Sequence, residues 1–136
     1  MTNEEHQVRK FYAQIWNQYR HEMIPDVLDE NISFRGSTGL HQHGHAGFKE
    51  YLDMLHAALG EYQCIIDDLV CEPGKAFARM TFTGIHKGSF LGFPPTGKRI
   101  TWAGAALFTF EGGKVTDLWV LGDLTSLKKQ LKGSNG

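Results

Sequence analysis

The stretch Gly84 to Asp123, GIHKGSFLGFPPTGKRITWAGAALFTFEGGKVTDLWVLGD, decides the fold. It holds a Pro-containing loop (Leu91 to Gly97), a long apolar run, a Gly112-Gly113 pair, a second apolar run and then an aspartate. Arg99 to Glu111 and Lys114 to Leu121 read as strands, and a Gly-Gly pair between two such runs is a two-residue hairpin signal. Just upstream, Glu61 to Cys71 and Lys75 to Lys87 read as two more strands. They are joined by Glu72-Pro73-Gly74, where Pro then Gly suits the central positions of a type II turn. Two hairpins in succession predict a mostly antiparallel sheet.

Further toward the N-terminus the apolar spacing becomes helical. Val8, Phe11, Tyr12, Ile15, Trp16 and Tyr19 share one helical face, and Asn3 with Glu4 and Glu5 makes a helix start, so a first helix is expected from about Asn3 to Arg20. Met23 to Leu28 suits a short second helix and Asn31 to Arg35 a short strand. Phe48, Tyr51, Leu52, Leu55 and Leu59 predict a third helix over about Ala46 to Leu59, ending at Gly60. Beyond Asp123, Leu124, Leu127 and Leu131 form the stripe of a final short helix, after which KGSNG reads as frayed. Helices first and strands later is the pattern of an α+β fold, with helices laid on one face of a curved sheet. At 136 residues, without repeats or linkers, the chain is expected to be one domain, 1–136.

The composition bounds the partners. The formal charge is -1 and Lys and Arg are scattered, so there is no electrostatic footprint for nucleic acid or an anionic membrane. The first residues carry acids where a signal peptide needs bases, and no span of about 18 apolar residues occurs, so a cytoplasmic protein is expected. Cys64 and Cys71 lie in what reads as one strand, whose rise of about 3.3 Å per residue keeps them too far apart to bond, so both read as reduced packing residues.

Several side chains could carry chemistry. His41, His43 and His45 alternate in the loop Gly36 to Gly44 and its continuation, a spacing that could hold zinc or nickel on a strand. With no cysteine or acid nearby, a loop near a pocket mouth is the preferred reading, and no metal is expected. The small residues Ala103 to Ala106, flanked by Trp102 and Phe108, either leave volume for a cavity or let a helix or partner approach closely. Met80, Phe82 and His86 share one strand parity, which points His86 inward as a structural group, a substrate-orienting group or a proton carrier. Asp123 has two readings. It can cap the last helix, or, beside Trp119 and other apolar groups, serve as a general acid/base.

The chain resembles the SnoaL-like polyketide cyclases, within the superfamily of nuclear transport factor two and ketosteroid isomerase. The resemblance rests on Gly84-Ile85-His86-Lys87-Gly88, on Gly92-Phe93-Pro94-Pro95-Thr96-Gly97-Lys98, on Gly113-Lys114-Val115, on Asp117-x-Trp119 with Asp123, and on Gln130-Leu131. It implies a cone-shaped α+β barrel of curved, mostly antiparallel sheet over N-terminal helices, a deep apolar pocket, and commonly a homodimer. It also implies aldol-type ring closure, or related isomerase or lyase chemistry, on a small apolar polyketide-like carbonyl substrate without cofactor or metal. By the same resemblance Asp123 is the acid/base, with Asp117 as an alternative. His86 supports it, and Tyr12, Trp16, Tyr19, Phe34, Trp102, Phe108 and Trp119 form the substrate wall. Limonene epoxide hydrolase carries Arg-x-Asp on a middle strand, whereas Arg79 here is followed by Thr81, which disfavours epoxide hydrolysis. A ligand-binding or interaction module without catalysis is the other reading of the same fold.

Overall fold

The computed structural model describes residues 2–132, so the expected fraying past Lys132 lies outside the described residues. The first helix, α1 (Asn3–Lys10), starts at Asn3 as expected, and the Thr2 hydroxyl caps it by accepting from the Glu5 N–H at 3.1 Å. It then widens into a π-helical segment, Phe11–Asn17, that buries Phe11, Tyr12, Ile15 and Trp16. A 3-10 turn (His21–Met23) leads into α2 (Ile24–Val27), and β1 follows directly as Leu28–Arg35. The loop expected between Gly36 and Gly44 carries a short strand of its own, β2 (His41–His43).

Helix α3 (Gly44–Ala58) passes straight into β3 (Leu59–Glu72) without a glycine cap, since Leu59 is already extended. Strands β4 (Lys75–His86), β5 (Arg99–Glu111) and β6 (Lys114–Gly122) complete the sheet, and α4 (Leu124–Leu131) closes it. Gly74 at φ +82 fits the type II turn, and Gly112 and Gly113, both at positive φ, fit the tight β5–β6 hairpin.

The sheet is mixed and open, in the order β2-β1-β6-β5-β4-β3, with β2 and β3 as edges. All neighbours run antiparallel except β1 and β6, which are parallel. The helices cover the inner face, where Phe11, Phe48, Leu52, Leu55, Trp102 and Phe108 are fully buried. Among the described residues no helix is long and apolar enough to cross a membrane.

One irregularity sets which residues face inward. Phe110 pairs with Val115, but Thr109 pairs with Asp117, so Thr116 is an extra residue in β6. Val115 is buried before this bulge, and Leu118 and Val120 after it. Parity counted from Val115 would put Asp117, Trp119 and Leu121 inside; the bulge turns all three outward.

Candidate functional site

A small cavity lies between the helical arm and the sheet. Phe11, Tyr12 and Trp16 form its roof, Phe34 and Ser37 one end, Tyr51 of α3 its side, and Tyr62, Cys64, Phe82 and Val120 the sheet wall. Its volume is about 20 Å³, room for about one water molecule. Of the expected wall, Tyr12, Trp16 and Phe34 are brought together here. Tyr51, Tyr62, Ser37 and Cys64, which are not among the expected wall residues, join them. Tyr51 belongs to a helical apolar stripe, which reads as core, and its hydroxyl was the available signal, since a buried phenol has to find a partner or face a ligand.

Local sequence explains these placements. A Cβ on Gly36 would stand 2.3 Å from the Tyr51 Cζ, so only glycine lets that ring lie across the chain. From there the Tyr51 hydroxyl lies 3.5 Å from the Ser37 Oγ and accepts from the Thr38 N–H at 3.3 Å. At Gly122, a Cβ would meet the Ser37 carbonyl oxygen at 2.6 Å and the Trp102 Nε1 at 3.1 Å, which places the indole N–H beside the Ser37 end of the cavity.

The polar groups here are unusual for what they lack. Among the described residues, the Tyr12 hydroxyl and the Trp102 indole N–H are buried with no hydrogen-bond partner, and so is the His86 Nε2. A buried donor left without a partner costs about 1–3 kcal/mol, so groups of this kind call for an explanation. Burial pushes the Tyr12 and Tyr62 phenols well above their ordinary range, raises Tyr51 against the pull of Ser37 and Thr38, and pushes the Cys64 thiol up. All four are therefore neutral near pH 7. They can donate hydrogen bonds but cannot serve as bases or thiolate nucleophiles, and none of the lining residues is a carboxylate or an imidazole.

The remaining expected site residues lie elsewhere. Trp102 is one layer behind the lining, stacked on Tyr62 at 6.1 Å and tilted against Phe82 at 5.4 Å. Phe108 is also behind it, edge-on to Phe11 and Tyr12. His86 does point inward and is fully buried. Its Nδ1 accepts from the Thr96 N–H at 3.2 Å, so the neutral ring carries its hydrogen on the unpartnered Nε2. The Pro-containing loop thus fixes the tautomer of His86.

Two of the named residues lie on the outer surface. Trp119 is 40% exposed, with the Arg35 guanidinium 5.8 Å above its ring. Asp123 is exposed and accepts from the Ser126 N–H at 3.1 Å, capping α4 beside Arg79 and Leu121. The Thr116 bulge and the parity that follows it carry both away from the cavity, and Asp117 is exposed on the same face. Tyr19 is likewise outside, 40% exposed at φ +57. It donates to Asp53 at 2.6 Å and stacks on His56 at 3.9 Å, and its phenol is pushed up to about 12 by desolvation and by Asp53.

His41 and His43 are exposed on β2, and His45 turns its Nε2 to the Leu28 carbonyl oxygen at 2.8 Å, so the three rings do not converge. Among the described residues no group of three or more His, Cys, Asp or Glu could hold a metal ion. In the small-residue run, Ala106 is core, and a Cβ on Gly104 would meet the Phe82 ring at 2.4 Å. Ala103 and Ala105 flatten the outer face instead of enlarging the cavity.

Known proteins agree with this architecture. TsrD from Streptomyces laurentii superposes with a TM-score of 0.85 at 26% identity, covering 95% of this chain and 94% of its own. A SnoaL-like polyketide cyclase from Agrobacterium tumefaciens gives 0.79 at 21% identity, with 96% and 98% covered. A Jannaschia sp. CCS1 protein gives 0.88 at 16% identity, with 97% and 93% covered. None of the curated proteins compared matches the chain. The family model described as SnoaL-like polyketide cyclase matches residues 6–131, nearly the whole length, and the chain belongs to that family.

Proposed function

We propose that this chain binds a small apolar carbonyl compound at the cavity, widened to admit it, and promotes cofactor-free, aldol-type ring closure or a related enolisation there. The observation that carries this reading is the buried, unpartnered hydroxyl of Tyr12, a residue that lines a space whose other polar side chains are neutral. Such donors, fixed before the substrate arrives, favour an oxygen on which negative charge develops. In the ring closure, a carbon between two carbonyls loses its proton, the resulting enolate carbon bonds to a second carbonyl carbon, and that carbonyl's oxygen takes up a proton. Tyr12 and Tyr62 hold a carbonyl or enolate oxygen by hydrogen bonds and stay protonated throughout. The leaving proton passes to water, because a methylene flanked by two carbonyls is already acidic.

Asp123 enters this scheme as the α4 cap. The test sets the two residues side by side, using deuterium exchange at the central carbon of 2,4-pentanedione. Tyr12→Phe should slow exchange on the order of a hundredfold, the cost of losing one oxyanion donor. Asp123→Asn should leave the rate near that of the parent. The opposite pattern would return the proton-acceptor role to Asp123. Binding of the diketone with no faster exchange than in buffer would favour the ligand-binding module, a reading that the absence of a base from the lining also supports.

We also propose a homodimer formed through the outer sheet face. Val70, Phe77, Leu107 and Trp119 are in register on four adjacent strands and all exposed, a continuous apolar row flattened by Ala103 and Ala105.

A further inference from the structure

A cavity of about 20 Å³ cannot hold a carbonyl compound of several carbons, since small-molecule sites span about 300–1,000 Å³. Immediately outside it, between the helical arm and the edge strand β3, lies a groove of about 360 Å³ bordered by Arg9, Ala13, Asn17 and Ile66. The two spaces share two wall residues, Tyr12 and Cys64. We propose that Tyr12 is a door between them, and that Asn17 clamped to Cys64 is the post it closes against; the proposal rests on the binding role given to the cavity above.

The geometry of the wall argues for this. Strand β3 is a sheet edge, so the outward backbone groups of Cys64 have no strand to pair with. Asn17 supplies both bonds: its Nδ2 donates to the Cys64 carbonyl at 3.0 Å and its Oδ1 accepts from the Cys64 N–H at 2.7 Å. One side chain thereby holds the π-helical segment to the sheet. Tyr12 lies on that segment one turn before the clamp, next to the small Ala13. In the closed position its hydroxyl is unpartnered. Rotated into the groove, the hydroxyl meets water and the Arg9 guanidinium, so the movement offsets lost packing with gained hydrogen bonds. Opening joins the groove to the cavity and gives a space of small-molecule size, with Tyr51 and Tyr62 at its inner end and the Tyr12 hydroxyl at its rim.

Cys64 reports the door directly, because it is 4% exposed and stands in the wall. In a Cys71→Ser background it is the only thiol of the chain. Its alkylation by iodoacetamide, followed by mass spectrometry, should rise at least tenfold in Tyr12→Ala and several-fold in Asn17→Ala. Leu127→Ala in the distant α4, matched for loss of stability, controls for global unfolding. Tyr12→Phe keeps the ring but loses the hydrogen bonds that opening gains, so it should label no faster than the parent, whatever it does to diketone exchange, and a failure of the door and a failure of the donor role separate. Labelling of Cys64 unchanged in Tyr12→Ala, or raised as much by Leu127→Ala, overturns the proposal.

Discussion

Tyr12 and Asp123 are opposites in what their neighbours supply. Asp123 has its partner, the Ser126 N–H, and acts on stability: Asp123→Ala should cost about 1 kcal/mol in chemical denaturation, the usual loss for an N-cap. Tyr12 has none, so Tyr12→Phe should leave the fold as stable or raise it by about 1 kcal/mol while lowering diketone exchange. A gain in stability with a loss of activity marks a group kept for function. A lowered melting temperature in Tyr12→Phe would instead show that the hydroxyl has a structural partner. Residue types made Tyr12 and Trp16 readable as candidate wall from the sequence, because polar aromatic residues on one face of an N-terminal helix pack against the sheet, whereas Phe34 came with the family resemblance. The Asp123 cap was readable too, but the outward faces of Asp123 and Trp119 were not, since one inserted residue at Thr116 reverses the faces of the strand after it, and strand parity alone does not announce an insertion.

At the level of elements, the join between the helical arm and α3 is where pH acts. Asp53 accepts from Tyr19 at 2.6 Å and pairs with His21 at 2.7 Å; the Tyr19 hydrogen bond, then His21, hold its carboxyl below the ordinary value of 3.8. His56 lies between Trp16 and Tyr19, and burial lowers it from 6.5 against the pull of the Trp16 carbonyl. Both folded-state values are depressed, so in both cases the unfolded chain binds protons more readily, and stability rises with pH. The His56 contribution is present above pH 6.5 and is lost as the pH falls below it; that of Asp53 is lost below about pH 4. Melting temperature should therefore fall between pH 7.5 and 5.5, and His56→Gln should flatten that limb. A parent whose stability is level across this range would contradict the assignment. Close packing constrains the elements as strongly: Gly36→Ala drives a methyl into the Tyr51 ring and should cost about 1–3 kcal/mol by overpacking.

For the whole molecule, the outer apolar row sets the expected assembly. Sedimentation of the parent should give a dimer, and Phe77→Glu or Leu107→Glu, each placing a charge mid-row, should give a folded monomer. A parent that sediments as a monomer at high concentration would remove the proposed interface. The overall α+β layout was legible in the sequence because both hairpins carry their turn residues in the chain itself, Pro73-Gly74 and Gly112-Gly113. The β1–β6 pairing was not, since a parallel contact between distant segments has no turn to announce it.

That one parallel pairing also orders events in time. Arg35 pairs with Trp119 across more than eighty residues of intervening chain, whereas β3, β4, β5 and β6 meet through short local connections. Closing so large a loop is entropically slow, so the hairpins are expected to assemble first and β1 to dock onto β6 late, bringing the helical arm with it. The cavity, whose roof is that arm, is then the last thing the chain makes.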